Sequence, residues 1–406
     1  MAKKPRLHAT DLHGVARLAT DATAGLTNLV EAMHERIARV PGFGPKSFDG
    51  RTDGITGLVY KTIRGITHVV GGSVEALLAL LVPALTPAAG DAAASGEREA
   101  LVAALNGVLG DYLVATANPL AVAMAFRRDG KALVLDRASL AQQLPEAGPR
   151  ILVLMHGLCM GDLQWSRAGH DHGAALAREC GYTPVYLNYN SGLHVSINGH
   201  ALALQLEHLI ESWPVPVERF VLLGHSMGGL LARSALHYGA QAALAWTPRV
   251  TDLVCLGTPH HGAPLERAGN WVDLLLGATP YAAPFARLGK LRSAGITDLR
   301  HGNVLDEDWV GRDRFARGAD RRQPVPLPAA MRCYAAAASL GEAAGDVKDH
   351  LLGDGLVPLD SALGRHKVAA RQLAFPEDRQ WIGYGMNHLD LLNRSEVFAQ
   401  LRQWLA

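Results

Sequence analysis

The sequence is short of cysteine and of any excess of one charge. Its 406 residues include four cysteines, Cys159, Cys180, Cys255 and Cys333, far apart and without a CxxC pair. Neither a disulfide framework nor a cysteine zinc site is indicated, and buried free thiols are the expectation. Lys and Arg number 39 against 38 Asp and Glu, a formal net charge of +1, so the basic excess of a nucleic-acid binder is absent. No internal repeat or low-complexity tract is evident. The N-terminal stretch MAKKPRLHATDLHGVARL is basic but lacks the apolar core of a signal peptide, which makes a cytoplasmic location the expectation. One window, Val69 to Ala88, reaches the ~20 residues of a membrane span. It contains Glu75 and helix-unfriendly glycines and prolines, which argues against a true span.

What is abundant points to an α/β protein. The chain is 49% hydrophobic and only 19% charged, enough to build a sizeable core. Its 43 glycines exceed the usual share without a collagen-like period, as many tight turns require.

Residues 1–115 read as a helical N-terminal extension. Apolar residues recur at helical spacing from Thr10 to Val40, from Asp53 to Leu85, and from about Ser95 through Leu101, Leu105 and Tyr112. The period then changes. Ala121–Phe126 and Lys131–Asp136 flank Asp129-Gly130, a hairpin signal. From there strands near 150–155, 184–188, 220–223 and 250–256 alternate with helices near 174–179, 199–212 and 228–238. Near-continuous apolar strands alternating with helices imply a mostly parallel sheet covered on both faces. Residues 263–328, rich in proline, interrupt the rhythm as a cap or lid insertion. It resumes at 331–338 and 380–384 and closes on a helix at 395–405. The second domain is thus 116–406.

The sharpest chemical signal is Gly224-His225-Ser226-Met227-Gly228, G-x-S-x-G between a buried strand and a helix. A serine lifted out at the end of a strand needs a tight turn in which a Cβ at either outer glycine would clash, so Ser226 is the candidate nucleophile. A serine hydroxyl needs a base, and that base needs an orienting carboxylate. Of 18 histidines, His388 lies in a turn after the last strand, at the edge where a parallel sheet delivers loop residues. Asp354, between Gly353 and Gly355, is the candidate acid, with Asp346, Asp349 and Asp360 as competitors. Backbone N–H groups of Met227 and Leu158 are the candidate oxyanion donors. His156, Gly157, His225 and His260 are candidates for substrate contact, although a plain strand-end turn at 156–157 and a satisfied strand-end histidine at 260 are alternatives.

Taken in order, His156-Gly157, Gly224–Gly229, Leu256–Gly262, Gly353–Pro358 and Met386–Asp390 resemble the α/β-hydrolase lipases and esterases, especially the bacterial true lipases, over residues 150–395. The resemblance implies an α/β-hydrolase fold, carboxylic-ester hydrolysis through an acyl-enzyme, and an ester or lipid-like substrate with transient contact at a lipid interface. It implies no redox or nucleotide cofactor, and often a mobile lid, for which Trp271 and the apolar run 272–276 suit; an ordinary core helix is the alternative. In those lipases an aspartate at the position of Asp390 helps bind a structural calcium; here its upstream partner is not placed, and a solvated or capping Asp390 competes with that reading. The same triad would serve a polyester depolymerase acting on polyhydroxyalkanoate or another aliphatic polyester. A non-catalytic scaffold binding a partner is the reading from another class. Residues 1–115 have no counterpart in the resemblance; packing against the sheet, covering the site and touching lipid are the roles open to them.

Overall fold

The computed structural model describes Gly14 and residues 91–263, 293–312, 320–343 and 353–406. The two helical patterns before residue 90, the apolar window 69–88, the Trp271 run with most of the cap insertion, and Asp346 and Asp349 lie outside the described residues.

Among the described residues eight strands form one sheet: β1 (Ala125–Arg128), β2 (Lys131–Ala132), β3 (Arg150–Met155), β4 (Thr183–Asn188), β5 (Arg219–His225), β6 (Asp252–Leu256), β7 (Arg332–Ser339) and β8 (Gln380–Tyr384). The order across the sheet is β2-β1-β4-β3-β5-β6-β7-β8. Strand β1 is antiparallel to both of its neighbours, β2 and β4, and β3 to β8 run parallel. Strand β2 is shorter than the 131–136 run suggests, for a local reason. Asp136 caps the next helix through Ser139 N–H at 2.8 Å, and the Gln143 side chain takes the Val134 N–H at 2.9 Å, so the chain leaves the sheet early.

The helices are α1 (Asp91–Ala115), α2 (Arg137–Gln143), α3 (His172–Cys180), α4 (Val195–Ser212), α5 (Met227–Gln241), α6 (Ala294–His301), α7 (Leu359–Ala362) and α8 (Ser395–Leu405). They cover both faces of the sheet. The period of two along each strand sorts the core: Ile151, Val153, Phe220, Leu222, Leu253 and Cys255 face one layer with α1, α4 and α5. Leu152, Leu154, Val221, Leu223 and Val254 face the other with α3 and α8. Fully covered strands of this kind carry apolar residues at successive positions, which is why they were legible as near-continuous runs. All four cysteines are free, and Cys255 and Cys333 are buried in β6 and β7. Among the described residues no helix is long and apolar enough to cross a membrane.

The two ends of the sheet differ. At the start of β5–β7 the buried Asp252 carboxylate holds Arg219 at 3.1 Å and Arg332 at 2.8 Å. At the opposite, carboxyl edge the loops carry the candidate residues, and α1 lies against two of them. The backbone at Gly107 sits so close to Cys159 that a Cβ would collide with its Sγ, and Gly110 stands in the same relation to Asn190. Ser293 Oγ donates to the Gly107 carbonyl at 2.6 Å, adding a third contact from the chain before α6.

Leu222, at the centre of β5, is fully buried. Leu222→Ala is expected to lower stability by about 2–5 kcal/mol, read as a lower denaturant midpoint at unchanged m-value. Acid should act through buried imidazoles. His172 Nε2–H donates to the Leu391 carbonyl at 3.0 Å, tying α3 to the turn before α8, and burial pushes its pKa down to about 4. The unfolded chain, titrating near 6.5, binds more protons than the folded one between about pH 6.5 and 4. Stability should therefore fall as the pH drops through that window, and the pH slope of the melting temperature should be shallower in His172→Gln. An unchanged slope would remove His172 as the cause.

Candidate active site

Ser226 stands between the end of β5 and the first residue of α5, and its backbone has φ 53° and ψ −120°. A non-glycine residue at positive φ is strained, costing about 1–3 kcal/mol, and persists only where the surroundings over-determine it. Here they do. A Cβ on Gly224 would run into the backbone of Gly228 and Gly229, and one on Gly228 into the Met155 carbonyl, so the elbow closes only with glycine on both sides. Ser226 N–H donates to the Leu256 carbonyl at 2.8 Å, which pins the elbow to the end of β6.

His388 arrives from the turn after β8. Its Nδ1 lies 2.6 Å from Asp354 Oδ2, and both side chains are buried. The other oxygen, Asp354 Oδ1, accepts the N–H groups of Leu356 at 2.9 Å and Val357 at 2.7 Å, which fixes the carboxylate in its loop. That loop turns through Gly353 and Gly355, both at positive φ. Because the carboxylate accepts, Nδ1 carries the hydrogen and the lone pair of the neutral ring is on Nε2. Nε2 is buried and has no hydrogen-bond partner among the described residues.

The imidazole is held at the elbow from two sides, by Gly257 and by His225. A Cβ on Gly257, the residue after the Ser226 acceptor, would lie 3.0 Å from His388 Cε1. On the other side the His225 ring is 4.7 Å from that of His388, centroid to centroid, and His225 Nε2–H donates to the His388 carbonyl at 3.2 Å. His225 itself stays neutral, since burial and then the neighbouring His388 hold its pKa far below the ordinary histidine range.

Gly157 closes the site from β3. A Cβ there would be 3.1 Å from Ser226 Cβ, so the 156–161 loop lies directly over the elbow. His156 Nδ1–H donates to the Gly157 carbonyl at 2.8 Å, its Nε2 accepts Tyr189 N–H at 3.3 Å, and its ring stacks on Tyr189 at 4.2 Å. Burial pushes its pKa down to about 4 despite the Gly157 hydrogen bond. Fixing the Gly157 carbonyl fixes the plane of the peptide that carries the Leu158 N–H. Met227, first residue of α5, has an N–H without an intrahelical acceptor. The next amide along the 156–161 loop, that of Cys159, is taken by Ser191 Oγ at 3.1 Å.

The structure thus brings Ser226, His388, Asp354, Gly157, His225 and the loop of Leu158 to one place. His260 is near in sequence but turned to other partners: its Nδ1 meets Arg233 at 3.3 Å and its ring lies beside Phe375. Asp360 is exposed on α7, 3.9 Å from Arg365, and does not reach His388. Asp390 Oδ2 accepts the Asn387 N–H at 2.9 Å, with Arg394 beside its other oxygen at 3.8 Å. Among the described residues no three His, Cys, Asp or Glu side chains gather as a metal site. Tyr189 and Ser191, which brace the 156–161 loop, carried no motif in the sequence. Arg233 did carry a signal, a lone cation inside the apolar run of α5.

Residues 151–319 match the family described as the PGAP1-like alpha/beta domain. A search of the curated proteins finds no match. Among solved structures, a Bacillus licheniformis lipase in its mature form is 20% identical, over 64% of this chain and 93% of that one, with a TM-score of 0.40. A Pyrococcus furiosus esterase is 12% identical over 64% and 81%, at TM-score 0.35. A metagenomic carboxyl esterase is 18% identical over 77% and 88%, at TM-score 0.33. With its parallel sheet, its serine elbow after β5 and the order Ser226, Asp354, His388 along the strands, the chain has the α/β-hydrolase fold, and over residues 151–319 it is similar to the PGAP1-like alpha/beta domain.

Proposed function

We propose that the protein is a serine hydrolase of carboxylic esters. The observation that carries this reading is the state of His388: Nδ1–H is committed to a buried carboxylate, and Nε2 is buried, unpartnered among the described residues and beside the Ser226 elbow. A buried ring nitrogen without a partner costs stability, and a hydroxyl arriving at that lone pair is what such an arrangement serves. Catalytic hydrogen bonds of this kind often tighten only when substrate is bound.

In the proposed reaction Ser226 Oγ attacks the ester carbonyl carbon as its proton passes to His388 Nε2. The negative oxygen of the tetrahedral intermediate is received by the N–H groups of Met227 and Leu158, the second held in place by the His156–Gly157 contact. The imidazolium, steadied by Asp354, returns the proton to the leaving alkoxide oxygen, and the alcohol departs. Water then attacks the acyl-enzyme by the same steps in reverse, Nε2 taking its proton and giving it to Ser226 Oγ, and the carboxylic acid leaves.

Ser226→Ala or His388→Ala is expected to lower kcat on a p-nitrophenyl acyl ester by about 10⁴–10⁶-fold, with circular dichroism showing the fold retained. Asp354→Asn should cost about 10⁴-fold by imposing the wrong tautomer. Retention of more than a tenth of the activity in either of the first two variants would overturn the reading. A crippling Asp346→Asn or Asp349→Asn beside an active Asp354→Asn would reassign the acid.

A further inference from the structure

A second cluster of chemistry-bearing side chains lies on the flank of α5, away from the three residues discussed above. A small pocket, half open to solvent, is lined by Arg233, His260, Arg322, Val325 and Arg371, among others, and Ser226, Asp354 and His388 are not in its wall. Arg233 is seven residues beyond Ser226, about 10 Å along the helix at 1.5 Å per residue.

The polar atoms in its wall are left incomplete. Arg233 is 6% exposed. Its Nη2 donates to the Val325 carbonyl at 2.7 Å and its Nη1 to His260 Nδ1 at 3.3 Å, while Nε–H has no partner among the described residues. A guanidinium only donates, so His260 Nδ1 accepts and the ring hydrogen is on Nε2. His260 Nε2 is also buried and without a partner among the described residues. Two residues of one pocket thus each hold a buried donor without an acceptor among the described residues.

The charge is incomplete as well. No carboxylate of the described residues pairs with Arg233. Asp320 is shared by Arg322, at 2.8 Å, and Arg371, at 2.5 Å. Asp308 is occupied by the N–H groups of Val304 at 2.9 Å, Leu305 at 3.0 Å and Gln323 at 3.0 Å. Burial draws the Arg233 pKa down to about 10, which leaves it cationic at neutral pH, and pushes His261 down to about 4 and His260 well below its ordinary value, which leaves both rings neutral. Three guanidinium groups thus face two carboxylates that are already engaged. Water could satisfy the two donors but not the buried charge.

We propose that this pocket is a binding site for a small oxyanion of the phosphate class, gripped by Arg233 Nε–H and His260 Nε2–H in the interior and by Arg322 and Arg371 at the wall. Guanidinium forks and an imidazole N–H present several directed donors to the oxygens of one tetrahedral anion. The site does not depend on the proposed esterase activity and stands or falls separately from it.

The test is a titration of the full chain with inorganic phosphate, with chloride adjusted to hold ionic strength constant, followed by calorimetry and by melting temperature. The expected result is saturable binding of one phosphate per chain and a rise in melting temperature. Dissociation constants should increase about ten- to hundredfold in Arg233→Gln and in His260→Phe, as loss of a charge-assisted or buried hydrogen bond predicts. Arg371→Ala, outside the deep interior, should weaken binding without threatening the fold, so the proposal remains testable if Arg233→Gln does not fold. Ser226→Ala should bind phosphate as the parent does. Glycerol phosphate in a second arm separates an organic phosphate ester from the free ion: equal or tighter binding means that the group arrives on a larger molecule, exclusion means that the free ion is the ligand. No shift beyond that of chloride, or phosphate binding unchanged in Arg233→Gln, His260→Phe and Arg371→Ala, would overturn it.

Discussion

One short hydrogen bond, between His388 Nδ1 and Asp354 Oδ2 at 2.6 Å and closed to solvent, sets the terms for the rest of the carboxyl edge. It fixes the tautomer and plane of a ring that also lies against Gly257 and beside His225. Its own geometry rests on the turn at Gly353 and Gly355, which aims the carboxylate inward and offers two N–H groups to the second oxygen. A ring so fixed has its second nitrogen buried and without a partner among the described residues. The strain at Ser226 belongs to the same construction, because the close approach of Gly224 to α5 and of Gly228 to β3 holds the elbow in place.

Backbone proximity does much of this work. Gly224, Gly228 and Gly257 each mark a place where chain passes chain or side chain at a distance a Cβ would not fit, and at Gly157 a Cβ would be crowded at 3.1 Å. The same device recurs one layer out, where Gly107 and Gly110 bring α1 against Cys159 and Asn190. Through the first of these, α1 buttresses the loop that carries the Leu158 amide, so a helix remote in sequence shares in shaping the edge.

Much of this was legible in the sequence, for identifiable reasons. Buried strands read as apolar runs because both faces of β3, β5 and β6 are covered. The elbow read as G-x-S-x-G because its strain admits only glycine at the flanks. Asp354 was marked by its flanking glycines, and His388 by its turn after the last strand. Contacts between side chains distant in the chain were not legible: Tyr189 bracing His156, Ser191 taking the Cys159 amide, and Gln143 ending β2 early. His260 illustrates the limit. Its position after β6 suggested substrate contact, but its ring faces Arg233 and a separate pocket, a choice made by the side chains of α5 and not by local pattern.

The most direct measurement of whether the carboxyl edge activates Ser226 is covalent labelling by a fluorophosphonate, with the modified residue located by mass spectrometry. The account requires adduct formation at Ser226 alone, and strongly slowed labelling in His388→Ala. Absence of an adduct at Ser226 in the folded parent protein, or equal labelling rates in the parent and His388→Ala, would contradict it.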